Sequence, residues 1–148
     1  MRHLCVMIGG ERFALAARDV HEVAPAIAAR SVPGAPAWCR GFACARGTWL
    51  PLVHAAALLG LPASAPTTAS RTLLMRPDGS PALLLEVDDV LELAELDLTG
   101  SHPGLTIDAL AWLGPVCTHG GHGVQSIDAA ALSRHPALAI IRDGAGGP

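Results

Sequence analysis

The sequence predicts an all-β fold of barrel type, with helices few and short. Its strand-like apolar runs are brief and closely spaced. Turn signals punctuate them at Gly9-Gly10, Arg46-Gly47, Pro77-Asp78-Gly79-Ser80 and Gly120-Gly121. Only Ala55–Leu59 and Ala129–Ser133 have the composition of helices, and both are short. Many short strands with few helices indicate a barrel-type architecture.

The elements follow in order. Residues 4–8 and 13–16 form an N-terminal hairpin around Gly9-Gly10-Glu11. Residues 18–23 pass from a helical turn into extended chain before Pro25. Residues 32–53 contain Pro33, Pro36 and Pro51 with Gly34, Gly41 and Gly47, which forbid a helix. What remains is a rigid turn, a short connector and an apolar hairpin broken at Arg46-Gly47, ending in a strand at 50–53. A charged Arg46 among apolar strand residues requires a partner or a purpose, and the segment has the character of a contact surface. Ala55–Leu59 is a short helix closed by Gly60 and Pro62, and residues 63–70 are a polar exposed loop.

Strands begin again at 72–76 and 82–87, joined by the turn at 77–80. Leu84, Leu85 and Val87 make the second of them a buried strand. Residues 90–98 alternate apolar and acidic, with Glu92, Glu95 and Asp97 on the wet side. A last hairpin pairs 112–118 with 124–127 around His119-Gly120-Gly121-His122-Gly123, and Asp128 is the N-cap of a helix over Ala129–Ser133. No exact internal repeat is visible. The loop at 63–70 divides the chain into two halves, expected as separate small β subdomains packed together.

Composition narrows the functions. A chain of 148 residues is expected to be one domain with a core that needs no metal or disulfide. Half the residues are hydrophobic but only 3% are aromatic, so aliphatic side chains and Ala must build that core. A net charge of -3 argues against a nucleic-acid partner. The N-terminal apolar run is shorter than a signal-peptide core, and none approaches a membrane span, so a cytoplasmic location without direct membrane insertion is expected. Cys5, Cys39, Cys44 and Cys117 form no CxxC pair and are expected as reduced thiols. There is no GxSxG elbow, no cysteine-protease signature and no phosphate-binding glycine loop, so an enzyme is the weak competitor.

Cys117, His119 and His122 invite a zinc site, with Cys39 or Cys44 as a further ligand. The spacing fits no standard zinc pattern, and a turn with solvated histidines explains it as well. Glu86, Asp88, Asp89, Glu92, Glu95 and Asp97 lack the spacing of a calcium loop and are expected as a solvated strand face. Trp38, Trp49 and Phe42 are each either interface anchors or core.

The order VPGAP, Gly41, Arg46-Gly47 and Pro51 resembles the CheW family of bacterial chemosensory coupling proteins. Phe13-Ala14-Leu15, Val20-His21-Glu22-Val23, Leu85-Glu86-Val87-Asp88-Asp89-Val90, Leu113-Gly114 and Ile127-Asp128 with Leu132 are similar to further family elements in the family's order. The resemblance spans residues 4–132. It implies two small five-stranded, SH3-like β-barrels with a hydrophobic groove between them, within one domain at 1–135; 136–148 would be an extension with a Gly-rich end. It implies no enzymatic activity and no cofactor. The partners it implies are a methyl-accepting chemoreceptor's cytoplasmic tip, the regulatory domain of a CheA-type histidine kinase, and other CheW-like domains. By the match, Glu22 and Arg46 are a paired acid and base at the receptor-contacting surface, with Val20, Val23 and Val87. Arg40, Gly41 and Phe42 fall on the kinase-facing side of the first subdomain, and Val87 and Asp88 on the second. The chain departs from the family pattern at Cys44-Ala45 and His54-Ala55. An accessory scaffold that binds CheW-like domains without receptor contact is therefore the alternative.

Overall fold

The computed structural model describes residues 1–98, 112–136 and 138. Its elements run through one order twice. The first half comprises β1 (Arg2–Ile8), β2 (Glu11–Ala16), a 3-10 turn (Ala17–Asp19), β3 (Val20–Pro25), β4 (Cys39–Ala45), β5 (Thr48–His54) and α1 (Ala55–Leu59). The second comprises β6 (Arg71–Met75), β7 (Leu83–Val87), β8 (Asp89–Glu95), β9 (Leu113–His119), β10 (His122–Ile127) and α2 (Ala129–Ser133). The expected mainly-β fold with short helices is present.

Two five-stranded sheets result, with strand orders β8-β1-β2-β10-β9 and β3-β6-β7-β5-β4. They match position by position. Each contains an antiparallel hairpin (β1–β2 or β6–β7) that runs parallel to the strand beside it, β10 or β5. This corrects the expected division at 63–70. That loop separates the two repeats, but each sheet takes its hairpin from one half and its other three strands from the other. A trace survives in the sequence, where Val53-His54-Ala55-Ala56-Ala57-Leu58 parallels Ile127-Asp128-Ala129-Ala130-Ala131-Leu132.

Gly9-Gly10, Arg46-Gly47 and Gly120-Gly121 all have positive φ at both residues. They are two-residue turns of type I′, whose twist suits a hairpin.

Burial on both faces explains the aliphatic runs of β6 and β7. Odd residues of these strands (Leu73, Met75, Leu83, Leu85, Val87) meet Leu4, Val6, Ile8, Phe13 and Leu15 in a central core between the sheets. Even residues (Leu74, Leu84) turn the other way and join Ala43, Leu50 and Leu52 inside the curl of the second sheet. Cys5, Ala14, Leu96 and Val124 fill the curl of the first. Leu138 reaches the central core, while the rest of the apolar stretch at 137–141 and the Gly-rich end lie outside the described residues.

Curling brings the edge strands of each sheet within side-chain reach. Glu22 on β3 meets Arg46 beyond the end of β4, and Glu92 on β8 meets His119 on β9. In the second sheet the backbone contributes too. Arg30, downstream of β3, exchanges two hydrogen bonds with Phe42 of β4, at 2.7 and 2.9 Å. That bridge passes directly over Gly41, whose φ is +121°, at a bulge in β4. A Cβ there would lie 1.9 Å from the Arg30 carbonyl oxygen, so only glycine fits both the backbone angle and the space.

Gly41→Ala is expected to break the Arg30–Phe42 bridge and to cost roughly 3 kcal/mol, in the range of severe single substitutions. Urea unfolding measures it; wild-type stability in the variant would contradict the close packing described.

Candidate protein-interaction site

The acid–base pair inferred from the sequence is present. Arg46 Nε donates to Glu22 Oε2 at 2.8 Å. Arg46 occupies the first position of its turn with φ +48°, and among the described residues it alone has positive φ without being glycine. That conformation is costly for any residue with a Cβ. The side chains are 65% and 39% exposed, so the pair lies at the surface, where it adds little stability. The hydrogen bond from Arg46 holds the Glu22 carboxyl below its usual range, and Glu22 in turn raises the Arg46 guanidinium.

The rest of the expected receptor surface divides. Val23 is exposed beside Glu22. Val20 is half-buried against the central core. Val87 is buried in that core, because β7 is covered on both faces, so it has no surface to offer a partner. Nor does it lie on a subdomain separate from Arg40–Phe42, since β7 and β4 belong to one sheet.

Arg40, Gly41 and Phe42 point to three different places. Gly41 is buried beneath the backbone of Arg30 and Ser31, not on the surface. Phe42 is half-buried and, with Trp49, Arg30 and Pro33, lines an open groove of about 420 Å³. Trp49 is 59% exposed, whereas Trp38 packs against the central core, so one of the two tryptophans takes the core role expected of at least one of them.

Arg40 turns to buried Glu86 on β7, which its Nε engages in an ion pair, and its Nη2 lies 3.3 Å from His54 Nδ1. Glu86 is thus not part of a solvated acidic face. A guanidinium can only donate, so His54 Nδ1 accepts, and the ring is neutral with its proton on Nε2. Burial first, then the Arg40 charge, pushes the His54 pKa below its ordinary 6.5. His54 precedes α1 as Asp128 precedes α2, yet only Asp128 caps its helix, accepting from Ala131 N at 3.1 Å. The sequence signal for this cluster was the His54-Ala55 departure together with a Glu inside an apolar strand.

The proposed metal ligands do not converge. Cys117 packs against the interior of the first sheet, His119 donates from Nε2 to Glu92 at 3.0 Å, and His122 is exposed across the turn. Among the described residues no three His, Cys, Asp or Glu side chains are grouped to hold a metal ion. Asp88 accepts a hydrogen bond from Gly9 N at 2.7 Å and ties β7 to the first hairpin.

Comparison with known proteins places this arrangement. The profile of the CheW-like domain matches residues 2–137. The chain belongs to the CheW-like domain family. Among solved structures, the scaffolding protein TtCheW from Thermoanaerobacter tengcongensis superposes with a TM-score of 0.75 at 20% sequence identity, over 85% of this chain and 82% of that one. No curated protein matches the chain. A CheW-like domain is a scaffolding module without catalytic activity. Among the described residues of this CheW-like domain, no helix is long and apolar enough to cross a membrane.

The neutral His54 carries a pH dependence of known sign. A histidine with a lowered folded pKa binds its proton more readily when unfolded, so stability falls as pH drops through the unfolded value near 6.5 and levels off below the folded one. His54→Gln keeps an acceptor for Arg40 and removes the titration. Between about pH 8 and pH 5.5 its urea midpoint is expected to fall less than that of the wild type. Parallel midpoint curves would rule out a neutral His54.

Proposed function

We propose that this chain is a cytoplasmic, non-catalytic adaptor that couples a methyl-accepting chemoreceptor's cytoplasmic tip to the regulatory domain of a CheA-type histidine kinase. The observation that carries the proposal is Arg46: an exposed cation held by Glu22 in a backbone conformation that its own stability does not require. Strain kept at an exposed position suits a contact residue more than a structural one. Exposed Val23 adds an apolar neighbour to that receptor surface.

Phe42 and Trp49 supply the aromatic part of the kinase-facing side, while Arg40 is held by Glu86 on β7. Coupling is then geometric. One rigid body holds receptor and kinase in a fixed relation, and a receptor signal shifts the relative stability of two array arrangements. Individual contacts are modest and gain from multivalency in the array.

A pull-down from the native cytoplasm, with wild type and with Arg46→Glu, tests this. Reversing the charge sets two carboxylates against each other, and because the pair is exposed the fold is expected to survive, which circular dichroism checks. Wild type is expected to recover both a CheA-type kinase and a receptor, and the variant to lose at least nine-tenths of the receptor while keeping the kinase. Kinase without receptor in both forms indicates the accessory scaffold instead; neither partner in either form overturns the adaptor role.

A further inference from the structure

One edge of the Arg40 guanidinium is shared between two acceptors. Its Nε donates to the Glu86 carboxylate, and its Nη2 donates to His54 Nδ1 at 3.3 Å. Nε and Nη2 form the same side of the planar fork, the side that ordinarily grips both oxygens of one carboxylate. The imidazole and the carboxylate are therefore neighbours, in keeping with the pairing of His54 and Glu86 in the parallel β5–β7 ladder. Glu86 and His54 are buried, whereas the Arg40 side chain is 33% exposed. Of the three, Arg40 is the member with a way out to water.

A proton on His54 is incompatible with this arrangement. Nδ1 is the acceptor of the neutral ring, so the proton goes there, and an N–H then faces an N–H of Arg40. Two cations also stand against one carboxylate in a buried site, where an uncompensated charge is costly. Asp88, just beyond β7, favours the imidazolium from a distance, but its carboxylate already accepts from Gly9 N at 2.7 Å. The helix α1 that follows His54 carries no charged or titratable side chain, and burial keeps the Cys39 thiol of β4 above its usual pKa and hence neutral. The His54 backbone is fixed, its N–H donating to Trp38 O at 2.7 Å. The group able to move is the half-open guanidinium.

We propose that protonation of His54 transfers Glu86 from Arg40 to the imidazolium and releases the Arg40 guanidinium to solvent. Nδ1–H then donates to the carboxylate that Arg40 Nε had engaged. The buried site keeps one positive and one negative charge in both states, so neither state leaves a charge unpaired inside. What changes is the surface, which gains a mobile cation in acid. Burial and the Arg40 charge lower the His54 pKa from its ordinary 6.5, so the exchange belongs to mildly acidic conditions. The device does not depend on the adaptor role.

The Arg40 Nε–H signal in nitrogen–proton NMR spectra of the full chain reads the exchange, assigned by its loss in Arg40→Lys, while the His54 ring nitrogens report the proton. Between about pH 8 and about pH 5, a range that brackets an ordinary histidine, protection of this N–H relative to free arginine is expected to fall at least tenfold, in step with His54. In His54→Gln, which keeps an acceptor for Nη2 and takes no proton, protection is expected to stay high throughout. Amide spectra report whether each form is folded. Protection that persists once His54 is protonated overturns the proposal, as does the same loss in His54→Gln. So does a ring that stays neutral at the acid limit, or a wild type that unfolds before His54 is protonated.

Discussion

Each sheet of this protein is completed by a hairpin from the other half of the chain, and most of its packing follows from that exchange. A hairpin alone is marginal in water, because its apolar faces stay wet. Here β1–β2 enters a sheet otherwise built from β8, β9 and β10, and β6–β7 enters one built from β3, β4 and β5. The lent hairpins therefore lie inside their sheets and are covered on both faces: on one by the central core, on the other by the curl of their own sheet. Neither half can bury its aliphatic residues without the other, which makes the two sheets one cooperative unit. It also means that pairing residues 2–7 with 89–95 must bring distant chain segments together, a topology that slows folding.

The same exchange fixes where the edges fall. With β6–β7 inside the second sheet, β3 and β4 become its outer strands, and the curl carries them toward each other. Exposed edges invite unwanted pairing. Part of this one is occupied by Arg30, whose backbone pairs with Phe42 over Gly41, and part is spanned by Glu22 and Arg46. The seam, the strained turn and the glycine that permits the bridge are thus three consequences of one closure problem. Arg46 is positioned by the hairpin tip and not by burial, which leaves its charge accessible.

The sequence made the elements legible because they are local: turn glycines, the Pro-rich segment and the Asp128 cap each act within a few residues. Glu22 and Arg46 were legible as a pair only through family resemblance, since residues 24 positions apart carry no mark of contact. The interleaving was not legible, because strand exchange leaves the local pattern of each strand unchanged. Glu86 and Val87 show the resulting errors. Both lie in a strand whose two faces are covered, so the acid expected on a solvated face is buried. The valine, already read as buried from its strand, was offered to a receptor only by the family resemblance. His54 was visible as a departure from the family pattern, but its meaning required Arg40 and Glu86, which reach it across the sheet.

Duplication also shows which positions the fold leaves free to change. At the edge of one sheet a carboxylate meets a guanidinium (Glu22, Arg46); at the edge of the other, Glu92 meets an imidazole, His119. Ahead of one helix stands a capping Asp128; ahead of the other, a buried His54 that caps nothing. The scaffold tolerates either member in both cases, so closure of the curl does not require an arginine at a hairpin tip. The second sheet nevertheless keeps Arg46 in a conformation that glycine, which fills the corresponding turn position as Gly120, adopts without strain. The fold alone therefore does not require a cation at that edge, and this is the ground on which Arg46 is proposed as a contact residue.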